Sequence, residues 1–177
     1  MPKMQFFFDY ECPYCKKGYE YLMEQIKDQG AIEIEWIPVE AHPRPAHPPG
    51  QKGEDSSADK LQPYTDLACQ CYYIARELGA DMNAFHAKMY QAASIERQNV
   101  EKPEVLCGIL KGIVDAGKLC SILESGKYAK QIYENNDLAY EKSGVWYVPA
   151  FRMNGKKLDA KGGVGITQKD LRDFLKG

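Results

Sequence analysis

Met4-Gln5-Phe6-Phe7-Phe8-Asp9-Tyr10-Glu11-Cys12-Pro13-Tyr14-Cys15-Lys16-Lys17-Gly18-Tyr19 is the stretch whose reading decides the fold. Three consecutive phenylalanines close to Met4 read as a strand buried on both faces. Beyond the cysteines, Cys15, Tyr19, Leu22 and Ile26 recur at spacings of four, three and four, which is one face of a helix. Pro13 falls in its first turn, where the missing N–H costs nothing, and Gly30 is the expected stop. From Ala31 to Pro38, Ile32, Ile34 and Trp36 alternate with Glu33 and Glu35, the pattern of a half-buried strand. The chain therefore starts as a βαβ unit, with a C-x-x-C pair where the first strand hands over to the helix.

Outward from this unit the character changes. Residues 40–60 carry His42-Pro43-Arg44-Pro45-Ala46-His47-Pro48-Pro49-Gly50 and then polar residues, which predicts a long loop. From Gln62 to Lys142 the spacing predicts helices only. Leu67, Cys71, Ile74 and Leu78 form one face, stopped by Gly79, and Phe85, Met89 and Ala92 form a second. Pro103 opens a third helix with Leu106, Ile109, Ile113 and Val114 on its face. Leu119, Ile122 and Leu123 mark a fourth; Ile132, Asn136, Ala139 and Tyr140 mark a fifth. Strand signals return over Trp146–Met153. Asn154-Gly155 is a two-residue hairpin turn, and Lys156–Leu158 is the returning strand. Thr167 with Asp170 is a capping-box variant opening a last helix on Leu171, Phe174 and Leu175. The order β-α-β, helical insert, β-β-α is an α/β, thioredoxin-like layout with an all-helical domain inserted after the second strand. Residues 1–60 and 143–177 form the thioredoxin-like domain, and residues 61–142 the insertion.

Composition narrows the classes of function. The 177 residues carry 23 Lys and Arg against 25 Asp and Glu, so a formal charge of −2 offers no basic field for nucleic acid or anionic lipid. No stretch approaches the ~18–20 apolar residues of a membrane span. The apolar run at the N-terminus is too short for a signal-peptide core, so a cytoplasmic location is expected, with a secreted protein whose signal has already been removed as the alternative.

The chemistry centres on Cys12 and Cys15. A sulfur at a helix N-terminus meets unpaired N–H groups and the positive end of the macrodipole, both of which favour thiolate over thiol. Cys12 is the expected attacking thiolate. Cys15, one turn further and more buried, is expected to resolve the mixed disulfide. Pro13 and Tyr14, between the sulfurs, tune the redox potential. Glu11 opposes ionisation of Cys12, and Lys16 and Lys17 favour it slightly; Asp9, Tyr10 and Glu11 read equally well as an ordinary polar loop. Pro149 after Val148, just before a strand, reads either as a plain edge-strand proline or as an X-Pro bond fixed in cis. The thioredoxin-like layout points to the cis bond and implies that Val148 and Pro149 face the cysteine pair and bind an extended substrate segment by strand addition.

The competing zinc reading needs Cys69-Gln70-Cys71 as the second half of a site, a spacing uncommon for structural zinc, and no metal site is expected. His42 and His47 read as solvated, and His86 as a partly buried helix residue. Cys107 and Cys120 read as small apolar packing groups; a second redox pair somewhere among Cys69, Cys71, Cys107 and Cys120 is the alternative. Tyr72, Tyr73, Tyr90, Tyr128 and Tyr133 read as core and helix contacts rather than a ligand cage.

Phe8-Asp9-Tyr10-Glu11-Cys12-Pro13-Tyr14-Cys15 with Gly18 resembles the active-site start of DsbA-like thiol oxidoreductases, in particular their FrnE-like branch. Val39–Pro43 with Pro48-Pro49-Gly50 is similar to that branch's proline-rich stretch. Ala75-Arg76-Glu77-Leu78-Gly79 with Phe85-His86 and Met89-Tyr90 resembles its helical insert, and Val148-Pro149-Ala150-Phe151 with Asn154-Gly155 resembles its cis-proline strand and hairpin. Pro13-Tyr14 is also the dipeptide of glutaredoxins. Tyr14, Lys16 and Ala150 depart from the family's usual Trp, apolar or aromatic residue, and Thr. The resemblance implies a thiol-disulfide oxidoreductase acting on a disulfide- or thiol-containing protein or small molecule. It needs no cofactor beyond the Cys12–Cys15 disulfide, works with an unidentified recycling partner, and leaves glutathione a candidate reductant. The alternative within the superfamily is a glutathione-dependent isomerase or transferase of the 2-hydroxychromene-2-carboxylate isomerase/kappa type, whose members carry Ser at the position of Cys12.

Overall fold

A computed structural model describes residues 2–28, 31–43 and 63–177. Gly30, His47 and most of the proline-rich stretch lie outside the described residues. The elements in chain order are β1 (Lys3–Phe8), α1 (Pro13–Asp28), β2 (Glu33–Pro38), α2 (Asp66–Glu77), α3 (Met82–Tyr90), α4 (Pro103–Ile109), α5 (Ala116–Ser125), α6 (Ala129–Asp137), β3 (Ala150–Met153), β4 (Lys156–Asp159) and α7 (Gln168–Lys176). Two π-helical turns, Gln91–Ile95 and Leu138–Lys142, continue α3 and α6.

The strands form one sheet in the order β2-β1-β3-β4, with β1 parallel to β2 and antiparallel to β3. β1 is central because its apolar run tolerates burial on both faces: Phe6, Phe7 and Phe8 are fully buried. Phe6 pairs with both Trp36 and Phe151 across the sheet and stacks on Phe151 at 4.7 Å between centroids. Asn154 and Gly155 both take positive φ, the conformation a two-residue hairpin needs. Thr167 and Asp170 form the reciprocal capping box of α7. Helices α2 to α6 all fall between β2 and β3 in sequence, and among the described residues 63–142 no β-strand element intervenes.

The structure differs from the sequence reading in four places. β3 begins at Ala150, so Trp146 and Tyr147 are not strand residues; they are exposed in the segment leading to Pro149. α4 stops at Ile109, and Gly112 at φ +84 turns the chain, so Ile113 and Val114 sit beyond the helix. His86 is not partly but fully buried. Cys107 and Cys120 do not pack as separate apolar groups. They are joined in a disulfide between α4 and α5, whose packing brings their Cα atoms to 6.6 Å. The other four cysteines are free thiols, and Cys69 and Cys71 are buried.

Candidate active site

β1 delivers the chain to the site, and α1 starts it. Cys12 stands immediately before α1, and its carbonyl accepts from the N–H of Lys16, closing the first helical turn. Its sulfur is half-buried and accepts the Cys15 backbone N–H at 3.2 Å. Cys15 lies one turn on, fully buried, and its sulfur accepts the Asp9 backbone N–H at 3.5 Å. The two thiols are therefore inequivalent. A hydrogen bond from the Cys15 side chain, helped by backbone N–H groups, holds the Cys12 pKa below the usual thiol range against the cost of burial. Burial first, then the hydrogen bond and charge of Cys12, push Cys15 well above it.

The Val148–Pro149 bond is cis and faces this pair. The Cys12 thiol donates to the Val148 carbonyl at 3.8 Å. α1 approaches the proline closely: a Cβ on Gly18 would lie 2.9 Å from Pro149 Cγ. On the other side Gly165, at φ +79, lets its loop lie against Tyr14, where a Cβ would meet the ring at 2.8 Å. Cys12, Pro13, Tyr14, Tyr147 and Val148 line a cavity of about 320 Å³, which Asp9 and Thr65 also reach. Trp146, 83% exposed, stands on its rim. All six residues assigned to the site from sequence thus come together. His42 is exposed and also lines the cavity, and among the described residues no group of three or more His, Cys, Asp or Glu side chains gathers in a way that could hold a metal.

Sequence reasoning left Asp9 as one of two readings, and the structure separates them: it is buried, not part of a solvated loop. Asp9 Oδ2 accepts from the Ala41 N–H at 2.7 Å and the Thr65 hydroxyl at 2.9 Å. Burial raises its pKa against those bonds. Oδ1 is buried with no hydrogen-bond partner among the described residues. Thr65 went unnoticed. It stands at the N-cap of α2, yet its hydroxyl serves Asp9 instead of the helix. Its position before a helical pattern was visible, but no signal linked it to Asp9. Ser94, also missed, donates to the Tyr10 carbonyl at 2.6 Å. His86 Nδ1 hydrogen-bonds the Tyr10 hydroxyl at 3.2 Å, and its ring stacks on Trp36. Burial pushes the His86 pKa down to about 3, so the imidazole is neutral.

With this geometry in hand, comparison with known proteins is decisive. The DSBA-like thioredoxin domain model matches residues 3–171. The chain belongs to the DSBA-like thioredoxin domain family. Among curated proteins, YwbO of Bacillus subtilis (strain 168), described as uncharacterized, is 26% identical over 95% of this chain and 94% of its own length. Among solved structures, DsbA of Pseudomonas aeruginosa superposes with a TM-score of 0.68 at 18% identity, covering 99% of this chain and 80% of that one. The probable DsbA oxidoreductase SCO1869 of Streptomyces coelicolor superposes with a TM-score of 0.77 at 14% identity, covering 99% and 89%. These likenesses establish the thioredoxin-like fold, and family membership supports thiol-disulfide oxidoreductase chemistry at the level of the family.

Proposed function

We propose that this chain exchanges disulfides through Cys12 and Cys15. The observation that carries the reading is the inequivalence of the two sulfurs: one half-exposed, poised to ionise and facing a cis-proline, the other buried beneath it as a thiol. The Cys12 thiolate attacks one sulfur of a substrate disulfide, forming a mixed disulfide and expelling the other substrate sulfur as a thiolate. Cys15 then loses its proton and attacks the Cys12 sulfur. The Cys12–Cys15 disulfide forms, the bond to substrate breaks, and the second substrate thiolate leaves. Two electrons have passed from the enzyme dithiol to the substrate; run in reverse, the oxidised enzyme oxidises a substrate dithiol. Asp9, a buried carboxylate whose own backbone N–H contacts the Cys15 sulfur, is the base to which that proton goes.

The substrate is an extended peptide segment or a small disulfide entering the cavity against Val148 and Pro149, with Tyr14 on its wall. No cofactor is needed in this scheme beyond the Cys12–Cys15 couple, and glutathione serves as a reductant for it. Disulfides such as Cys107–Cys120 persist mainly under oxidising conditions, which weighs against the cytoplasmic expectation.

Mass spectrometry of Cys15→Ser incubated with a disulfide-bonded peptide tests the scheme. A peptide adduct on Cys12 is expected, and Cys12→Ser should lose exchange activity by more than a hundredfold. An absent adduct together with normal turnover by Cys12→Ser overturns it.

A further inference from the structure

Tyr90 is 1% exposed, and its hydroxyl is buried with no hydrogen-bond partner among the described residues. A buried hydroxyl left unpaired forfeits its hydration without compensation, and native proteins rarely leave one so.

Its placement ties it to the cysteines. Tyr90 is the last residue of α3, where the helix passes into the π-helical turn Gln91–Ile95, and such turns are frequent at functional sites. The ring lies against Tyr10 at 5.1 Å and Tyr19 at 5.4 Å between centroids. Tyr10 precedes Cys12 by two residues, and Tyr19 follows Cys15 by one helical turn. The ring is thus set between the two flanks of the C-x-x-C turn. After burial, the groups that act most on its hydroxyl are Cys15, Cys12 and Asp9, in that order, and all of them keep it protonated. It is a donor without a hydrogen-bond partner among the described residues in the dithiol, and a sulfur within its electrostatic reach becomes a stronger acceptor when it ionises.

We propose that the Tyr90 hydroxyl, contributed by the helical insert, is the hydrogen-bond donor to the Cys15 thiolate during resolution of the mixed disulfide. The inference rests on the exchange scheme above and adds a residue to its second step. Tyr90 keeps its proton throughout. The Cys15 proton goes to Asp9, the Cys15 electron pair forms the bond to Cys12, and the substrate sulfur leaves with the pair from the broken bond. In the mixed disulfide the negative charge on Cys12 is gone, which removes one cause of the high Cys15 pKa. A donated hydrogen bond lowers it further.

Tyr90→Phe tests this with 5,5′-dithiobis(2-nitrobenzoate) as the disulfide, because the two thionitrobenzoate anions are released in separate phases. The first reports attack by Cys12 and the second reports resolution by Cys15. The variant should keep its thermal stability, since the hydroxyl it removes is unpaired in the dithiol. The first phase should stay within twofold of wild type. The second should slow about tenfold, and the midpoint of its pH profile should rise by about one unit. Unchanged second-phase rate and midpoint overturn the proposal, as does an equal loss in both phases together with a lower melting temperature. Should the variant fail to fold, wild type and Cys15→Ser labelled with ¹³Cζ-tyrosine give a second test. One tyrosine resonance must follow the second-phase titration in the wild-type mixed disulfide and stay still in Cys15→Ser; no such resonance overturns the proposal. Failure of the exchange scheme itself shows differently, as normal turnover by Cys12→Ser.

Discussion

Removing the Cys107–Cys120 disulfide should lower the stability of the chain by about 3 kcal/mol. The bond joins α4 to α5 across a sequence separation of 13. Cross-linking takes loop-closure entropy from the unfolded chain, about −2.1 − 1.5R ln n cal/mol/K for a loop of n residues. A loop of about fourteen residues, counting both cysteines, gives roughly 10 cal/mol/K, or about 3 kcal/mol at 25 °C. For a chain of this length each kcal/mol corresponds to roughly 2–4 °C, so the melting temperature should fall by roughly 6–12 °C. The double variant Cys107→Ser/Cys120→Ser is the right perturbation, because a single change leaves an unpaired thiol free to cross-link two chains. It should be made in a Cys12→Ser/Cys15→Ser background, so that reductant acts only on the remaining pair. Urea denaturation with and without dithiothreitol is the assay. The parent should lose about 3 kcal/mol on reduction, and the double variant should show the lower value in both conditions. A parent whose stability is the same within about 0.5 kcal/mol in both conditions, with thiol titration confirming reduction, would refute the argument.

Three further expectations follow from single positions. In Asp9→Asn a buried negative charge that raises the pKa of both sulfurs disappears, so the Cys12 thiolate, read by its ultraviolet absorbance against pH, should form at lower pH by up to about one unit. Because the Asp9 pKa is raised on folding, its ionisation disfavours the fold. The variant should therefore be the more stable at neutral pH, and the difference should shrink as pH falls toward the ordinary carboxylate range. Gly18→Ala places a methyl 2.9 Å from the Pro149 ring, which is not a flexible tip. It should cost about 1–3 kcal/mol by denaturation and slow the first phase of disulfide exchange. His86, with its pKa depressed to about 3, contributes stability that is present above the ordinary histidine value and lost as pH falls toward 3. Wild type should lose about 1.4 kcal/mol per pH unit below roughly pH 6, and His86→Phe should flatten that slope.

How much of this was readable beforehand depends on how local each cause is. β1, α1 and the hairpin were legible because each is fixed by neighbours in sequence: three phenylalanines, a four-three-four spacing, an Asn-Gly turn. Trp146 and Tyr147 misled because aromatic residues favour strands, whereas here they stand exposed beside the cavity and the chain turns at the cis bond before β3 begins. Ile113 and Val114 keep the helical period past Ile109, where α4 ends, and Gly112 turns the chain before them. The disulfide was not legible from a separation of 13, because only the packing of α4 on α5 brings the two cysteines within reach. The six residues expected at the site stand in two short motifs, and the structure places those motifs side by side. The contacts of Asp9, Thr65 and Tyr90 were not legible, because they join segments that are far apart in sequence.

Those contacts share a direction. Thr65 donates to Asp9, Ser94 to the Tyr10 carbonyl, Asn135 to the Pro38 carbonyl and Tyr140 to the Glu40 carbonyl. Each donor stands between β2 and β3, and each acceptor lies at or just beyond the C-terminal end of β1 or β2. These ends carry Asp9 and Tyr10, and the segment that presents Cys12. Buried backbone carbonyls and a buried carboxylate need partners, and each left unpaired costs about 1–3 kcal/mol. Four such losses would come to roughly 4–12 kcal/mol, comparable with the whole stability of a typical domain. The helical segment is therefore more than a cover for the cavity. Among the described residues, the strand ends that hold the cysteine turn take these four hydrogen bonds from it, so the thioredoxin-like part should not keep this site geometry without it.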